Sequence, residues 1–282
     1  MRLRAKEYDA VVDIQGNLKS GLVTFFSRSP VKGGFARDGV REFPNLFFTN
    51  KKVKLTPEDI HITLKYLRVV SGTLGIDVPQ GFDFYPTLFP DDKERESVRA
   101  RELFGNDEVE SFRIAIHHGT TWETKGISPE RWRRVLETIV DAAMERGKRP
   151  EVYFTWGNEE ERKQAEAIAR GVRERGENCR ITVTHKMSIG ELIAFMSLMD
   201  LVIGPDTGPV HLAAAVGVKT ISFYRVTRAE RNAPRGKRHV SIQADVHCAG
   251  CLRKECPHRE MCEEAIRPEL FREALFTLLA EG

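Results

Sequence analysis

The sequence predicts an α/β protein built on parallel sheets, and three observations lead there. From Ser111 onward, short apolar runs alternate with amphipathic helical stretches, the pattern of strands whose sheet is covered on both faces by helices. The stretch Ser128 to Arg146 carries both a start and a stop signal, with Ser128 as candidate cap, Pro129 in the first turn and Gly147 suited to a left-handed stop. Finally, 282 residues with 41% hydrophobic and 30% charged side chains can bury a full core, as one large α/β domain or two joined domains.

Taken in order, Asp9 to Ile14 is an apolar run ending in Gln15-Gly16, a buried strand followed by a loop and a helix over Leu18 to Phe26. Pro30 to Lys54 mixes Gly, Pro, aromatic and charged residues without a clean period, so long loops around short elements are expected. Thr56 to Leu74 is expected to be helical, with Thr56 as N-cap and Pro57 at the first position. Val78 to Glu110, with three prolines and many charges, is expected to connect two domains. The expected division is a partial N-terminal domain over residues 1–85, a connection over 86–110 and a C-terminal domain over 111–282.

Within that last stretch, Phe112 to His117 reads as a strand, and Trp132, Val135, Leu136, Ile139, Val140 and Ala143 form one apolar helix face. The alternation continues through strand Glu151–Trp156, helix Glu159–Arg175, strand Arg180–Thr184, helix Ile189–Leu198, strand Leu201–Gly204, helix Pro209–Val216 and strand Thr220–Tyr224. Ligands of such sheets bind at the carboxyl ends of the strands. No G-x-G-x-x-G follows any strand, which counts against a dinucleotide cofactor.

Net charge is only +3, with 44 basic against 41 acidic residues, so nucleic acid is not an expected partner. No run approaches the roughly 18 to 20 apolar residues of a membrane span, and no signal-peptide pattern opens the chain. A cytoplasmic location is therefore expected.

Two loops could carry chemistry. Gly204-Pro205-Asp206-Thr207-Gly208-Pro209-Val210-His211-Leu212 lies at a strand-to-helix junction, where small residues and free helix N–H groups favour a diphosphate. Read structurally, Asp206 would be a helix N-cap and His211 a core histidine. His117-His118-Gly119-Thr120-Thr121-Trp122-Glu123-Thr124-Lys125 follows another strand. Its hydroxyls and N–H groups can grip phosphate oxygens, and Lys125 can neutralise charge on a departing diphosphate; otherwise it is a polar surface loop. Together the loops converge on a nucleotide diphosphate. Four of the five cysteines, Cys248, Cys251, Cys256 and Cys262, crowd into one segment, for which structural zinc, disulfides and free thiols are all open.

The DTGPVHLAAAVG segment, the HHGTTWETK loop with its following Pro-Glu-x-Trp helix, DIQGNLKS and VREFPNLFFTN together resemble the ADP-heptose:lipopolysaccharide heptosyltransferases, glycosyltransferase family 9, particularly the type I enzyme. The resemblance covers nearly the whole chain. It implies a GT-B-type fold of two Rossmann-like domains, acceptor-binding first and donor-binding second. The implied reaction is transfer of heptose from ADP-heptose to a Kdo-containing inner-core acceptor, Kdo-lipid A, with inversion and without a required cofactor. By the resemblance, Thr120, Thr121, Lys125, Asp206, Thr207, Gly208 and His211 hold the donor diphosphate, Met187 lines the adenine site and Glu160 binds the ribose. Lys125 and Asp206 are the expected catalytic residues, while Lys19, Arg37 and Arg41 fall on acceptor positions.

The family opens with a strand and loop bearing the general base, whereas this chain starts close to a later strand. The N-terminal sheet is thus expected to be incomplete and the base to be missing, Asp13 being better read as a loop-capping carboxylate. A lipid-linked acceptor would place the protein peripherally on the inner membrane, with Gly21 to Lys32 as the apolar and basic stretch for that contact. The rival readings are a non-catalytic or truncated nucleotide-binding homologue and a related transferase using another nucleotide sugar.

Overall fold

The computed structural model describes residues 5–77, 87–100, 111–173 and 179–280. The chain divides into two compact units, Met1–Phe84 and Tyr85–Gly282.

In the first unit β1 (Ala10–Asp13), β2 (Val31–Phe35) and β3 (Lys51–Val53) form a parallel sheet in the order β1-β2-β3. Helix α1 (Leu18–Phe26) follows β1. Its start is a capping box in which Asn17 accepts from the Ser20 N–H (2.8 Å) and Ser20 Oγ accepts from the Asn17 N–H (3.2 Å). The stretch expected to be mainly loops thus contains two strands. Alternation is lost there because the packing demands glycine: a Cβ on Gly33 would lie 1.9 Å from Thr73 Oγ1, and one on Gly34 2.7 Å from Thr49.

Helix α2 (Ile62–Leu74) begins five residues later than expected, with His61 rather than Thr56 as its N-cap. Thr56 instead closes a turn, its N–H and hydroxyl both donating to Asp59 Oδ2 (2.7 and 3.0 Å), and Asp59 pairs with Arg68 (3.0 Å). The Asp59 N–H returns to the Thr56 carbonyl (3.0 Å) and the Ile60 N–H to that of Glu58 (2.8 Å), which closes the turn on itself before the helix starts.

The second unit contains β4 (Phe112–His117), β5 (Pro150–Thr155), β6 (Arg180–Val183), β7 (Leu201–Pro205), β8 (Lys219–Tyr224) and β9 (His239–Gln243). They form one parallel sheet in the order β6-β5-β4-β7-β8-β9, the doubly wound order. Helices α4 (Pro129–Glu145) and α5 (Glu159–Arg173), with the C-terminal α10 (Pro268–Ala280), share one core layer with the sheet; there Trp132 and Phe271 meet Phe223 edge-on at 5.6 and 6.0 Å. The other face packs against α6 (Ile189–Met196) and α7 (Gly208–Ala215).

The expected 86–110 connection needs correction over residues 87–100; 78–86 and 101–110 lie outside the described residues. Residues Asp92–Ala100 form helix α3, which packs on α6 through the fully buried Val98. The Leu88 N–H donates to the Ala215 carbonyl (2.8 Å), so this stretch belongs to the second unit. The stretch is mostly charged, and Glu94 itself lies against Gly190 of α6, so Val98 alone leaves no apolar period to read. At α4 the expected stop holds, with Gly147 at φ +68°. Ser128, however, makes no side-chain cap bond, and its N–H donates to Glu263 Oε2 (3.0 Å).

At the end of β7 the backbone passes so close to β4 that a Cβ on Gly204 would lie 2.7 Å from the His117 carbonyl oxygen and 2.9 Å from Val210. We expect Gly204→Ala to cost about 1–3 kcal/mol through this overpacking. Urea denaturation followed by tryptophan fluorescence measures it, since Trp122, Trp132 and Trp156 all lie in the second unit; an unshifted midpoint would show that the strands separate freely.

Candidate functional site

The strand order of the second unit reverses between β4 and β7, with β5 and β6 to one side and β8 and β9 to the other. At such a switch point the following loops diverge and leave a crevice at the carboxyl ends of the strands. Here β4 delivers the His118–Gly126 loop and β7 delivers Asp206, Thr207 and Gly208.

The two loops meet through charge. Lys125, in a single 3-10 turn (Glu123–Lys125), places Nζ 3.0 Å from Asp206 Oδ2 and 3.1 Å from the Asp206 carbonyl oxygen, and 5.4 Å from the centre of the Trp122 ring. His211 Nε2 lies 3.4 Å from Asp206 Oδ1, and Asn232 Nδ2, at the end of the short helix α8 (Ala229–Asn232), donates to Asp206 Oδ2 at 3.2 Å. Burial raises the Asp206 pKa, but hydrogen bonds from His211 and Lys125 together with the lysine charge outweigh it and hold the carboxyl well below the usual range.

Asp206 is therefore not a helix cap, and half-exposed His211 is not a core residue. The N-cap of α7 is Thr207, which makes no side-chain cap bond; its hydroxyl donates back to the Pro205 carbonyl (3.2 Å). Gly208 has open space where a side chain would stand. The amino end of α7 thus presents N–H groups that no side chain occupies, the condition for anion binding.

In the β4 loop the Thr120 hydroxyl donates to the Trp122 carbonyl (2.5 Å), and Thr121 is exposed. Beneath it sits Arg225, 1% exposed. Its guanidinium donates to the carbonyls of Gly126 and Arg259 and lies 3.6 Å from Glu263. Thr124 adds a hydroxyl bond to the Arg253 carbonyl (2.8 Å). Sequence reading missed Arg225 and Asn232, because neither sits in a motif and each acts only through tertiary contact.

Met187 lines a cavity of about 210 Å³ at the carboxyl ends of β4, β5 and β6, together with His117, Trp156, Thr184 and Leu192. Trp156 Nε1 donates to the Thr184 carbonyl (2.6 Å), which fixes the indole at the rim. Of the three glutamates opening α5, Glu161 is committed to capping: it accepts from the Gly157 N–H (2.7 Å) and Asn158 Nδ2 (3.0 Å) and lies against Gly119. Glu159 pairs with Arg162 (2.8 Å), and Glu160 is exposed with Gln164 at 3.4 Å.

In the first unit, the Gly16 carbonyl accepts the N–H groups of Arg41 (3.1 Å) and Glu42 (2.9 Å), and Glu42 Oε2 accepts from the Leu18 N–H (2.8 Å). The loops after β1 and β2 are thereby joined, which brings the segments bearing Lys19, Arg37 and Arg41 to one end of the sheet, all three side chains exposed. Arg37 lies over the Phe43 ring at 5.5 Å. Asp13 is 4% exposed, with Oδ1 accepting from the N–H groups of Gln15 and Gly16 and Oδ2 from Asn45 (2.7 Å), a loop-capping role.

Among the described residues no three His, Cys, Asp or Glu side chains are gathered to hold a metal, and all five cysteines are free thiols. Cys262 is buried on α9 (Arg259–Glu264), its thiol pKa raised by burial and opposed by the adjacent Arg225.

A reversing parallel sheet with two charged loops and an uncapped helix end at the switch point defines an α/β protein fitted to an anionic ligand. The chain belongs to glycosyltransferase family 9 (heptosyltransferase), whose family model matches residues 1–262. Lipopolysaccharide heptosyltransferase 1 of Pseudomonas aeruginosa is 28% identical over 274 residues, covering 96% of this chain and 70% of that protein. Its counterpart in Escherichia coli K12 is 26% identical over 226 residues, covering 80% and 63%. The chain therefore spans about two thirds of the length of these relatives. Among solved structures, the E. coli heptosyltransferase WaaC with ADP matches at a TM-score of 0.68 and 23% identity, over 98% of this chain and 74% of that one. A glycosyltransferase family 9 protein from Veillonella parvula matches at a TM-score of 0.71 and 18% identity, over 99% and 75%. These likenesses show a GT-B-type fold.

Burial, with the neighbouring His118, pushes the pKa of His117 from 6.5 down to about 4. Between those values the unfolded chain binds a proton that the folded one refuses, so stability is full above pH 6.5 and falls as the pH drops toward 4. The loss is on the order of 3 kcal/mol for His117, and His239, also pushed down to about 4, acts with the same sign. Urea denaturation across this range should show the decline, and His117→Gln should flatten it. An unchanged slope in that variant would place the effect elsewhere.

Proposed function

We propose that this chain transfers heptose from ADP-heptose to a Kdo-containing lipopolysaccharide inner-core acceptor, with inversion and without a required metal. The observation that carries the reading is the Lys125–Asp206 pair, 3.0 Å apart, beside the uncapped amino end of α7 at the switch point of the sheet. The donor diphosphate would lie across that helix end, with Thr120, Thr121, Thr207, Gly208 and His211 around it. Lys125 would meet the negative charge that grows on the diphosphate as the sugar leaves. An aspartate cannot itself attract a diphosphate. Asp206 therefore serves by aiming Lys125 and His211.

Adenine fits the cavity beside Met187 and Trp156. With Glu161 committed to its cap, the ribose hydroxyls fall to the other carboxylates of the first turn of α5, Glu160 or Glu159. In the first unit Lys19, Arg37 and Arg41 supply positive charge suited to Kdo carboxylates. Exposed Leu22, Val23, Phe25 and Phe47, on α1 and the neighbouring 3-10 turn, support a peripheral contact with the membrane that carries the acceptor. No helix among the described residues is long and apolar enough to cross a membrane.

A second reading, donor binding without transfer, is favoured by one observation: both carboxylate oxygens of Asp13 are already occupied by N–H donors. A transfer assay separates the two. Calorimetry with ADP in the presence of a chelator should show binding, and Lys125→Ala should weaken it at least tenfold and lower transfer to a Kdo-bearing acceptor by about 100-fold to 1,000-fold. Binding that requires magnesium, or an unchanged ADP affinity in folded Lys125→Ala, would sink the proposal. ADP binding without any transfer would establish the second reading.

A further inference from the structure

The opposite end of the second sheet holds a larger cavity, of about 590 Å³, at the amino ends of β4, β7 and β8. A strand as long as β4 separates it from the diphosphate loops by roughly 17 Å. Four cations line it from four places in the chain: Arg146 at the end of α4, Lys148 before β5, Lys219 at the start of β8 and Arg238 before β9. The whole chain carries only +3, so this is a local concentration of charge.

Little nearby offsets it. Asp200 is the one carboxylate in the lining, and its Oδ2 accepts the Arg113 N–H (2.8 Å). Glu145, next to Arg146 in sequence, pairs with Arg272 (2.5 Å) and feels the Arg146 charge as well. Among the described residues none of the four cations forms an ion pair; Lys219 donates to the Leu278 carbonyl (2.7 Å) and Arg146 lies 4.1 Å from the Phe276 ring centre. Like charges gathered around one cavity repel each other until an anion enters. Phe112, Val218 and Leu279 add apolar side chains to this mainly polar lining.

We propose that this cleft is a second ligand site, distinct from the donor loops, that takes a small soluble anion bearing a phosphate or diphosphate and a compact apolar part. Several separated cations match a multivalent phosphate, and the apolar side chains among them match a small organic group. The probe is inorganic pyrophosphate, titrated by calorimetry into the full chain with its donor loops saturated by ADP. One further equivalent should bind, more weakly at high salt. A Lys148→Glu, Arg238→Glu double variant should lose at least tenfold in pyrophosphate affinity while keeping its ADP affinity, and Lys125→Ala should show the converse. Both reversed positions are exposed, and equal thermal melting confirms the fold. If ADP fails to bind, pyrophosphate titrated into Lys125→Ala isolates the cleft, so the two proposals fail separately. No pyrophosphate binding beyond the donor loops, or binding that survives the charge reversal, overturns the assignment. So does binding to phosphatidylglycerol vesicles that the double variant loses without any pyrophosphate binding, which would make this a membrane-facing patch.

Discussion

The spacing of β4 and β7 where they leave the sheet governs the rest of the second unit's chemistry. These strands are paired neighbours in the doubly wound order, and Gly204 lets their ends approach without a side chain between them. That approach sets Lys125 3.0 Å from Asp206 although 81 residues separate them in sequence. The pair is largely withdrawn from water, with side-chain exposures of 21% and 7%. Removing one partner of such a pair strands a desolvated charge, so it holds both loops in one geometry more firmly than a surface pair would. On the proposed reading, a lysine held in place before the reaction need not reorganise during it.

Behind the loop lies a scaffold that maintains this aim. Arg225 leaves the end of β8 and donates to the carbonyl of Gly126, the residue after Lys125. Glu263 faces Arg225, accepts from Arg259 (2.8 Å) and takes the N–H of Ser128 at the head of α4. One buried guanidinium and one buried carboxylate thus tie the β4 loop, α4 and α9 together. The cysteine segment borders this network through Cys262 and the Thr124 bond to Arg253.

Much of this was legible in the sequence wherever local pattern and tertiary role agree. The strands β4, β5, β7 and β8 are apolar runs because both faces of the sheet are covered, and α4 shows its apolar face because that face meets the core. The pattern fails where packing overrides it. Strand β2 carries glycines because Thr73 and Thr49 press against it, and the edge strand β9 is only partly buried and lacks a strong apolar run. Charge on α3 hid a helix whose contact with the core rests on Val98. In the site, the paired loops stood out as motifs, whereas Arg225 and Asn232 draw their meaning from partners 99 and 26 residues away.

The sheet order also bears on how the chain is made. Strand β4 is the first of its sheet to be synthesised, yet it lies in the middle and is buried almost throughout. Its partner β7 follows only after about 80 more residues, which at ribosomal speeds of roughly 5–20 residues per second means on the order of ten seconds. During that interval one edge of an apolar strand has no native neighbour, and long-range parallel pairing is slow to form in any case. The nascent second unit therefore passes through a stage at which chaperone capture competes with aggregation, and that stage ends when the strand bearing Asp206 at its tip arrives to close the sheet's centre.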